Sequence, residues 1–140
     1  MKILNAFSLQ MFPPLDGKVA VPSIKEIDLK TAINLFEGGV DSAVGHADTA
    51  AVLSDILGIE VQCIRKNILL QHGDEAVVAQ LTGGRLPEGS KTLPKGYEIK
   101  FFLVRVRYLD KDLKEIISTA LIGMDALGKN EYLEKISESL

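Results

Sequence analysis

Hydrophobic and polar positions along the chain follow two periods, one of about two residues and one of about 3.6 residues. Segments in which apolar residues alternate or run continuously, with many β-branched and aromatic side chains, predict β-strands. The predicted strands cover residues 2–7, 18–24, 40–44, 76–82 and 97–108. Residues 59–71 are also strand-like in composition, and their length fits either one bent strand or two.

Two further segments carry apolar residues at helical spacing and have capping residues at their ends. The first begins after Asp28, a residue type favoured as an N-cap, and Gly38 is its predicted C-cap. Its apolar stripe consists of Leu29, Ala32, Ile33 and Phe36. The second helix is predicted from about Ala47 to Leu57 and ends at Gly58. Its buried side is predicted to consist of Ala50, Leu53, Ile56 and Leu57.

The chain changes character after residue 108, where strand patterns stop. Residues 113–121 suit an amphipathic helix, and residues 131–139 suit a second, short one. Because an apolar stripe needs cover, this extension is expected to pack on the core or on a partner subunit. The pattern as a whole predicts an α/β fold. It consists of a small mixed β-sheet flanked by helices over residues 1–108 and a helical C-terminal extension over residues 109–140.

The composition is that of a single globular domain. Of the 140 residues, 46% are hydrophobic and 25% are charged, which is enough apolar material for one packed core. The net charge of -3 and the pI of about 5.4 argue against a protein that binds long nucleic acid, which needs a basic surface. A small anionic ligand is still compatible, because a few local cations suffice to hold one.

Cysteine and histidine are scarce in this sequence. Cys63 is the only cysteine among the 140 residues, so no disulfide can form within them and no zinc site can be built from thiolates. Cys63 is expected to be buried on a strand. With only His46 and His72 as imidazole ligands, no structural metal site is expected. The first residues do not resemble a signal peptide, and no apolar stretch is long enough to span a bilayer. A cytoplasmic protein without membrane contact is therefore expected.

His46 is the first candidate for chemistry, because it lies where a predicted strand passes into a predicted helix. Free backbone N–H groups and the helix dipole favour an anion at such a position, and Gly45 lets the backbone approach a ligand closely. Histidine titrates near neutral pH, so His46 can donate a proton to a leaving oxygen. The alternative interpretation is a surface histidine that caps the turn.

The glycine-rich loop at residues 83–96 holds the second candidate pair. Arg85 can fork onto a phosphate, and Glu88 can orient that arginine or accept hydrogen bonds from a ribose or a base. The alternative is an exposed ion pair worth at most ~1 kcal/mol.

Arg65 and Lys66 form a cationic pair that is either solvated or faces a groove. Clustered carboxylates for a metal ion are not apparent, so any phosphodiester chemistry is expected to be metal-independent.

Four stretches, in this order, resemble a known family: LNAFSLQM, SAVGHADTAAVLSDILG, VAQLTGGRLPEG and IKFFLV. They are similar to the ring nucleases found as viral anti-CRISPR proteins against type III systems, which have relatives in bacteria and mobile elements. The resemblance implies a small α/β fold that forms a homodimer. It also implies a pocket spanning both subunits that binds cyclic tetra-adenylate. Family members cut this ring, without a metal or cofactor, into linear di-adenylates ending in a 2′,3′-cyclic phosphate.

The resemblance covers about residues 1–106 and also implies residue roles. The family's catalytic histidine falls on His46, which would be the general acid, and its catalytic arginine and glutamate fall on Arg85 and Glu88. The implied substrate contacts are Asn5, Ala6, Ser8, Gly45, Arg65 and Gln80. Because family members cleave the ring without a metal ion, the resemblance implies no metal-binding residues in this chain.

Two functions other than cleavage stay open at this point. A protein that captures cyclic tetra-adenylate without cutting it would also suppress signalling, as a sponge or a sensor. In the second alternative the chain is an interaction protein of a mobile element, and the apolar stripe at residues 113–121 docks onto another protein.

Overall fold

The computed structural model describes residues 1–110, so the helices predicted at residues 113–121 and 131–139 lie outside the described part. The described elements are five strands, two α-helices and a short 3-10 helix. The strands are β1 (Lys2–Leu4), β2 (Val19–Ile27), β3 (Asp41–Ser42), β4 (Glu75–Thr82) and β5 (Glu98–Leu109). The helices are α1 (Leu29–Leu35) and α2 (Ala47–Leu57), and the 3-10 helix is Leu9–Met11.

Two stretches of chain, Met1–Pro14 and Val21–Arg107, form the main compact unit of the protein. Leu15–Ala20 and the described residues after Arg107 belong to a second unit. The boundary expected after residue 108 stays a prediction, because residues 111–140 lie outside the described part. Within residues 1–110, no helix is long and apolar enough to cross a membrane.

The five strands form one mixed sheet in the order β2-β5-β4-β1-β3. β1 runs parallel to both β3 and β4, whereas β4 and β5 are antiparallel along the whole length of β4. This sheet and its two helices confirm the predicted small mixed α/β fold. Because β1 and β3 are parallel neighbours, the segments that follow them leave the sheet at the same edge. That edge is where Asn5 and Gly45 lie.

One face of the sheet packs against both helices, and this contact makes the core. The sheet contributes Ile3, Val77, Ala79 and Phe101. The α1 and α2 segments contribute Ala32, Phe36, Ala50, Leu53 and Leu57. A leucine buried as completely as Leu53 contributes about 1.5–3 kcal/mol of transfer free energy. Leu29, the first residue of the predicted α1 stripe, is exposed, and Val52, outside the predicted α2 stripe, is fully buried.

The helix ends confirm two of the three predicted caps. The Asp28 carboxylate accepts a hydrogen bond from the Thr31 N–H at 2.7 Å, which satisfies one free donor of α1. Gly58 closes α2 in the left-handed conformation, with φ of 68°. The prediction for Gly38 was wrong, because α1 ends at Leu35 and Phe36 is the C-cap. The glycine with positive φ in that turn is Gly39, whose N–H bonds to the Phe36 carbonyl at 3.0 Å.

Residues 59–71 contain no strand, so the expectation of one bent strand or two was wrong. The segment makes a single parallel bridge to the sheet, between Val44 and Cys63, next to the two-residue strand β3. It is tied there by the buried Ser42, whose hydroxyl donates to the Gln62 carbonyl at 2.6 Å. Cys63 is exposed rather than buried, because its segment crosses the sheet edge without joining the sheet.

Candidate functional site

A cavity of about 350 Å³ opens at the edge of the sheet where β1 and β3 end. β1 is followed by Asn5 and Ala6, and the chain beyond β3 supplies Gly45 and His46. The full lining is Leu4, Asn5, Ala6, Met11, Ala43, Gly45, His46, Arg65, Lys66 and Ile68. The structure therefore brings together five of the residues expected to act on a ligand: Asn5, Ala6, Gly45, His46 and Arg65.

His46 occupies the N-cap position of α2 without using its side chain as a cap. Its backbone is extended, with φ of −122° and ψ of 123°, and its carbonyl accepts the first helical hydrogen bond from Ala50 at 3.0 Å. Among the described residues, the His46 imidazole makes no capping hydrogen bond to the helix. The imidazole is exposed and makes no capping hydrogen bond, so it can meet a ligand in the cavity, whereas a surface histidine at a helix start remains the alternative interpretation.

Gly45 brings the segment that carries Arg65 close to the start of α2. A Cβ atom at position 45 would lie 3.4 Å from both the Cα and the Cβ of Arg65. The Ile64 N–H bonds to the Val44 carbonyl at 2.9 Å, which holds the two segments side by side. The consequence is that Arg65 and His46 line the same cavity although they are far apart in sequence.

The two cations of the cavity differ in their partners. The Lys66 ammonium contacts the Asp41 carboxylate at 2.6 Å, and this hydrogen bond, reinforced by the lysine's charge, lowers the pKa of the Asp41 carboxyl. Arg65 forms no ion pair with any of residues 1–110. A ligand anion in the cavity therefore meets one uncompensated guanidinium and one ammonium whose charge is already paired.

Arg85 and Glu88 do not line this cavity. Both side chains are exposed on the loop between β4 and β5, and Leu86 between them is buried. The loop nevertheless reaches the start of α2, because the Gly89 N–H donates to the Asp48 carboxylate at 3.2 Å. The expected catalytic set is therefore divided between the cavity, which holds His46, and a neighbouring loop fixed to the same helix.

The remaining predicted contacts lie in two adjoining cavities. Gln80 lines a more apolar cavity of about 410 Å³, which shares Asn5 and Ala6 with the first. Ser8 lines a cavity of about 480 Å³, which shares Met11, Lys66 and Ile68 with the first. The three cavities are thus neighbours around the segment that follows β1.

Met11 and Ile68 line the cavity but were not expected from the sequence. They meet because the Leu70 N–H bonds to the Met11 carbonyl at 2.8 Å, a contact between segments far apart in sequence. No local pattern signals such a contact, since Met11 ends a three-residue 3-10 helix and Ile68 lies outside any helix or strand. Within residues 1–110, no three His, Cys, Asp or Glu side chains lie close enough together to hold a metal ion.

Fold and site together define a small mixed α/β protein whose polar cavity lies at the carboxyl ends of parallel strands. The model of the STIV B116-like family matches residues 1–100, and the chain belongs to this family. A similar relative is uncharacterized protein 26 of Sulfolobus islandicus filamentous virus, isolate Iceland/Hveragerdi. It is 36% identical, over 73% of this chain and 89% of the viral one.

A solved structure is similar over most of the chain. It is B116 of Sulfolobus turreted icosahedral virus, with a TM-score of 0.58 and 26% identity. The match covers 74% of this chain and 96% of the viral protein. Both named relatives are viral proteins, and their length corresponds to the part of the chain before the predicted C-terminal extension.

Proposed function

We propose that this protein is a ring nuclease that cleaves cyclic tetra-adenylate into linear di-adenylates ending in a 2′,3′-cyclic phosphate. Its activity would switch off type III CRISPR signalling in the cytoplasm of an infected host cell. The observation that carries the proposal is the place of His46. Its imidazole lines a cavity beside Arg65, which has no ion pair within residues 1–110, and makes no capping hydrogen bond to the helix that begins there.

The chemistry is an RNA-type transesterification that needs no metal ion. The ribose 2′-oxygen forms a bond to the neighbouring phosphorus, the bond from phosphorus to the 5′-oxygen breaks, and the 2′-hydroxyl proton leaves to solvent. His46 protonates the departing 5′-oxygen as the general acid. Arg65 and the free N–H groups at the start of α2 stabilise the charge on the phosphorane. Alignment of the 2′-oxygen by the cavity replaces a dedicated base.

The size of the ring supports action as a homodimer. A volume of about 350 Å³ is at the lower end of the range of small-ligand sites, roughly 300–1,000 Å³. A ring of four nucleotides needs more space, which the adjoining cavities and a second copy of the chain would provide. A two-fold dimer presents each site twice and matches a ring with two equivalent cleavage points.

A non-catalytic sponge for the same ring is the second candidate function. It is favoured by one observation, the absence of Arg85 and Glu88 from the lining of the cavity that holds His46. In that case the cations would bind the ring, and no group would align it for cleavage. The viral relatives fit both candidates, because capture and cleavage of a signal both help a virus.

Product analysis over many turnovers separates the two candidates. The full chain is incubated with a large excess of cyclic tetra-adenylate in EDTA, and the products are resolved by chromatography. The nuclease converts the excess to di-adenylate with a cyclic phosphate end. Capture of one ring per dimer without product supports the sponge instead, and loss of activity in EDTA contradicts a metal-independent mechanism.

A further inference from the structure

We infer that Asp48 and Tyr97 are positioning residues, which hold the loop carrying Arg85 and Glu88 against the first turn of α2. The hydrogen bonds of the loop support this positioning, and its effect on cleavage rests on the proposed function. Neither residue touches the ring. Both act on the cleavage step through the backbone of the segment between Arg85 and Gly89.

Both ends of this segment are fixed by side chains that lie outside the segment itself. At its start, the Tyr97 hydroxyl donates a hydrogen bond to the Arg85 carbonyl at 2.9 Å. At its end, the Gly89 N–H donates to the Asp48 carboxylate at 3.2 Å. Arg85 and Glu88 therefore extend from a stretch of backbone whose two ends are both held.

The middle of the segment is fixed as well. Leu86 is 6% exposed and anchors the loop in the apolar interior. The N–H and the hydroxyl of Ser90 both donate to the Pro87 carbonyl, at 3.1 and 2.6 Å, which closes the turn around Glu88. A loop held in this way pays little ordering entropy when a ligand binds, so its charged side chains are preorganised.

Asp48 links this loop to His46, the proposed general acid. It lies two residues after His46, in the first turn of the helix that His46 begins. Glu88 directly precedes Gly89, the residue that Asp48 binds. The position of Glu88 is thus set relative to the same helical turn that sets His46. Loss of either contact would shift Arg85 and Glu88, the residues expected to act together with His46, without moving the imidazole.

Tyr97 is placed by the other end of the loop. A Cβ atom at Gly83 would lie 2.9 Å from the Gly96 carbonyl oxygen and 3.1 Å from Cδ1 of Tyr97. Gly83 also has a φ of 115°, which favours glycine. The missing side chain at position 83 lets the two ends of the loop approach, and this approach brings the Tyr97 hydroxyl to Arg85.

The test compares four variants of the full chain. Asp48→Ala and Tyr97→Phe each delete one hydrogen bond, Asp48→Asn keeps an oxygen that accepts from Gly89, and Asp55→Ala removes an exposed carboxylate elsewhere on α2. The hydrogen-exchange rates of residues 83–97 measure how readily the loop opens. The single-turnover cleavage rate and the Kd for cyclic tetra-adenylate measure catalysis and binding at the site.

We expect Asp48→Ala and Tyr97→Phe to speed exchange in the loop roughly fivefold or more, as for one lost hydrogen bond. Their single-turnover rate falls roughly 10- to 100-fold, the scale of misplaced catalytic groups, while Kd changes only about threefold. Asp48→Asn restores both values, and Asp55→Ala leaves both unchanged.

Unchanged exchange in both deletion variants overturns the inference, as does a loosened loop with an unchanged cleavage rate. A wild-type protein that leaves the ring intact overturns the proposed function, and the exchange data then decide the positioning alone.

Discussion

The imidazole of His46 lies at a helix start where serine, threonine, aspartate or asparagine would serve the helix better. It lines a cavity together with Arg65, which has no ion pair among the described residues, and Lys66, which is bound to Asp41. The proposed chemistry of this cavity therefore rests on two side chains, His46 as the proton donor and Arg65 as a fixed positive charge.

Arg65 is expected to contribute more to ligand binding than Lys66. In a His46→Ala background, which prevents turnover, Arg65→Ala raises the Kd for cyclic tetra-adenylate roughly 10- to 100-fold, the scale of a lost hydrogen bond to a charged group. The increase in Kd caused by Lys66→Ala is several times smaller, because the Lys66 charge is already paired with Asp41. Titration calorimetry measures both values, and an equal or reversed order contradicts this assignment of charge.

The ion pair between Asp41 and Lys66 makes stability depend on pH at the acid end. Because the folded state lowers the pKa of Asp41, the pair stabilises the fold fully above the unfolded value of about 4. This stability is lost as the pH falls through the lowered folded value. Asp41→Asn therefore flattens the acid limb of the stability curve.

At neutral pH the cost of Asp41→Asn is at most about 1 kcal/mol, because the lysine and aspartate side chains are 39% and 50% exposed. Urea unfolding at a series of pH values checks both statements. Lys66→Met should flatten the curve almost as much, since Lys2 and the N-terminus lower the pKa of Asp41 less than Lys66 does, and the double variant should add little. An unchanged acid limb in both single variants would show that the pair contributes nothing.

At the scale of elements, the parts of the fold with a strong local signal were predictable. α2 has the predicted bounds, since its apolar spacing and Gly58 mark both the helix and its end. β4 and β5 lie within about one residue of their predicted ends, because continuous β-branched and aromatic residues have no other favourable conformation there. β1 was predicted three residues too long, and the chain leaves the sheet at Asn5, where the site begins.

Residues 59–71 and the division of the site were not predictable from local signals. Val61 and Leu70 are buried as in a strand, but β3 offers the segment an edge of only two residues. The Gln62 carbonyl is satisfied by Ser42 instead of by a strand partner. Arg85 lies beside the cavity, on a loop bonded to Asp48 and Tyr97, and sequence spacing does not encode these contacts.

Ser54 is expected to be the main polar link between α2 and the segment after it. Its hydroxyl accepts from the Val61 N–H at 2.8 Å and donates to the Ala50 carbonyl at 2.8 Å. Ser54→Ala leaves the Val61 N–H without its partner, at a cost of about 1–3 kcal/mol, offset by a few tenths of a kcal/mol from the helix propensity of alanine. Urea unfolding beside Asp55→Ala as control measures this cost, and equal stability of the two variants would contradict the role of Ser54.

At the scale of the whole molecule, the main unit carries all the residues of the candidate site. The family match ends at residue 100, and the viral relatives cover about three quarters of this chain. The residues of the proposed chemistry therefore all lie within the stretch that the family model matches. The predicted homodimer belongs to this scale too, because a four-nucleotide ring is larger than the cavity of one chain.

Deleting residues 110–140 is expected to leave the cleavage step intact. The truncated chain should be less stable or change its oligomeric state, because an apolar stripe is predicted in that part of the sequence. Sedimentation velocity, thermal unfolding and single-turnover cleavage are measured on the full and truncated chains. A truncated chain that is still dimeric and binds the ring, yet no longer cleaves it, would place part of the chemistry in the extension.

The most direct test of the account is a comparison of the wild type with His46→Ala on cyclic tetra-adenylate in EDTA. His72→Ala serves as the matched control, since it removes the other histidine of the chain. Binding and single-turnover cleavage are measured on all three. We expect His46→Ala to bind the ring with a Kd near that of the wild type but to cleave it at least about 100-fold more slowly, the scale of general acid catalysis. Cleavage by His46→Ala at the wild-type rate would contradict the account, because the proton would then come from another group.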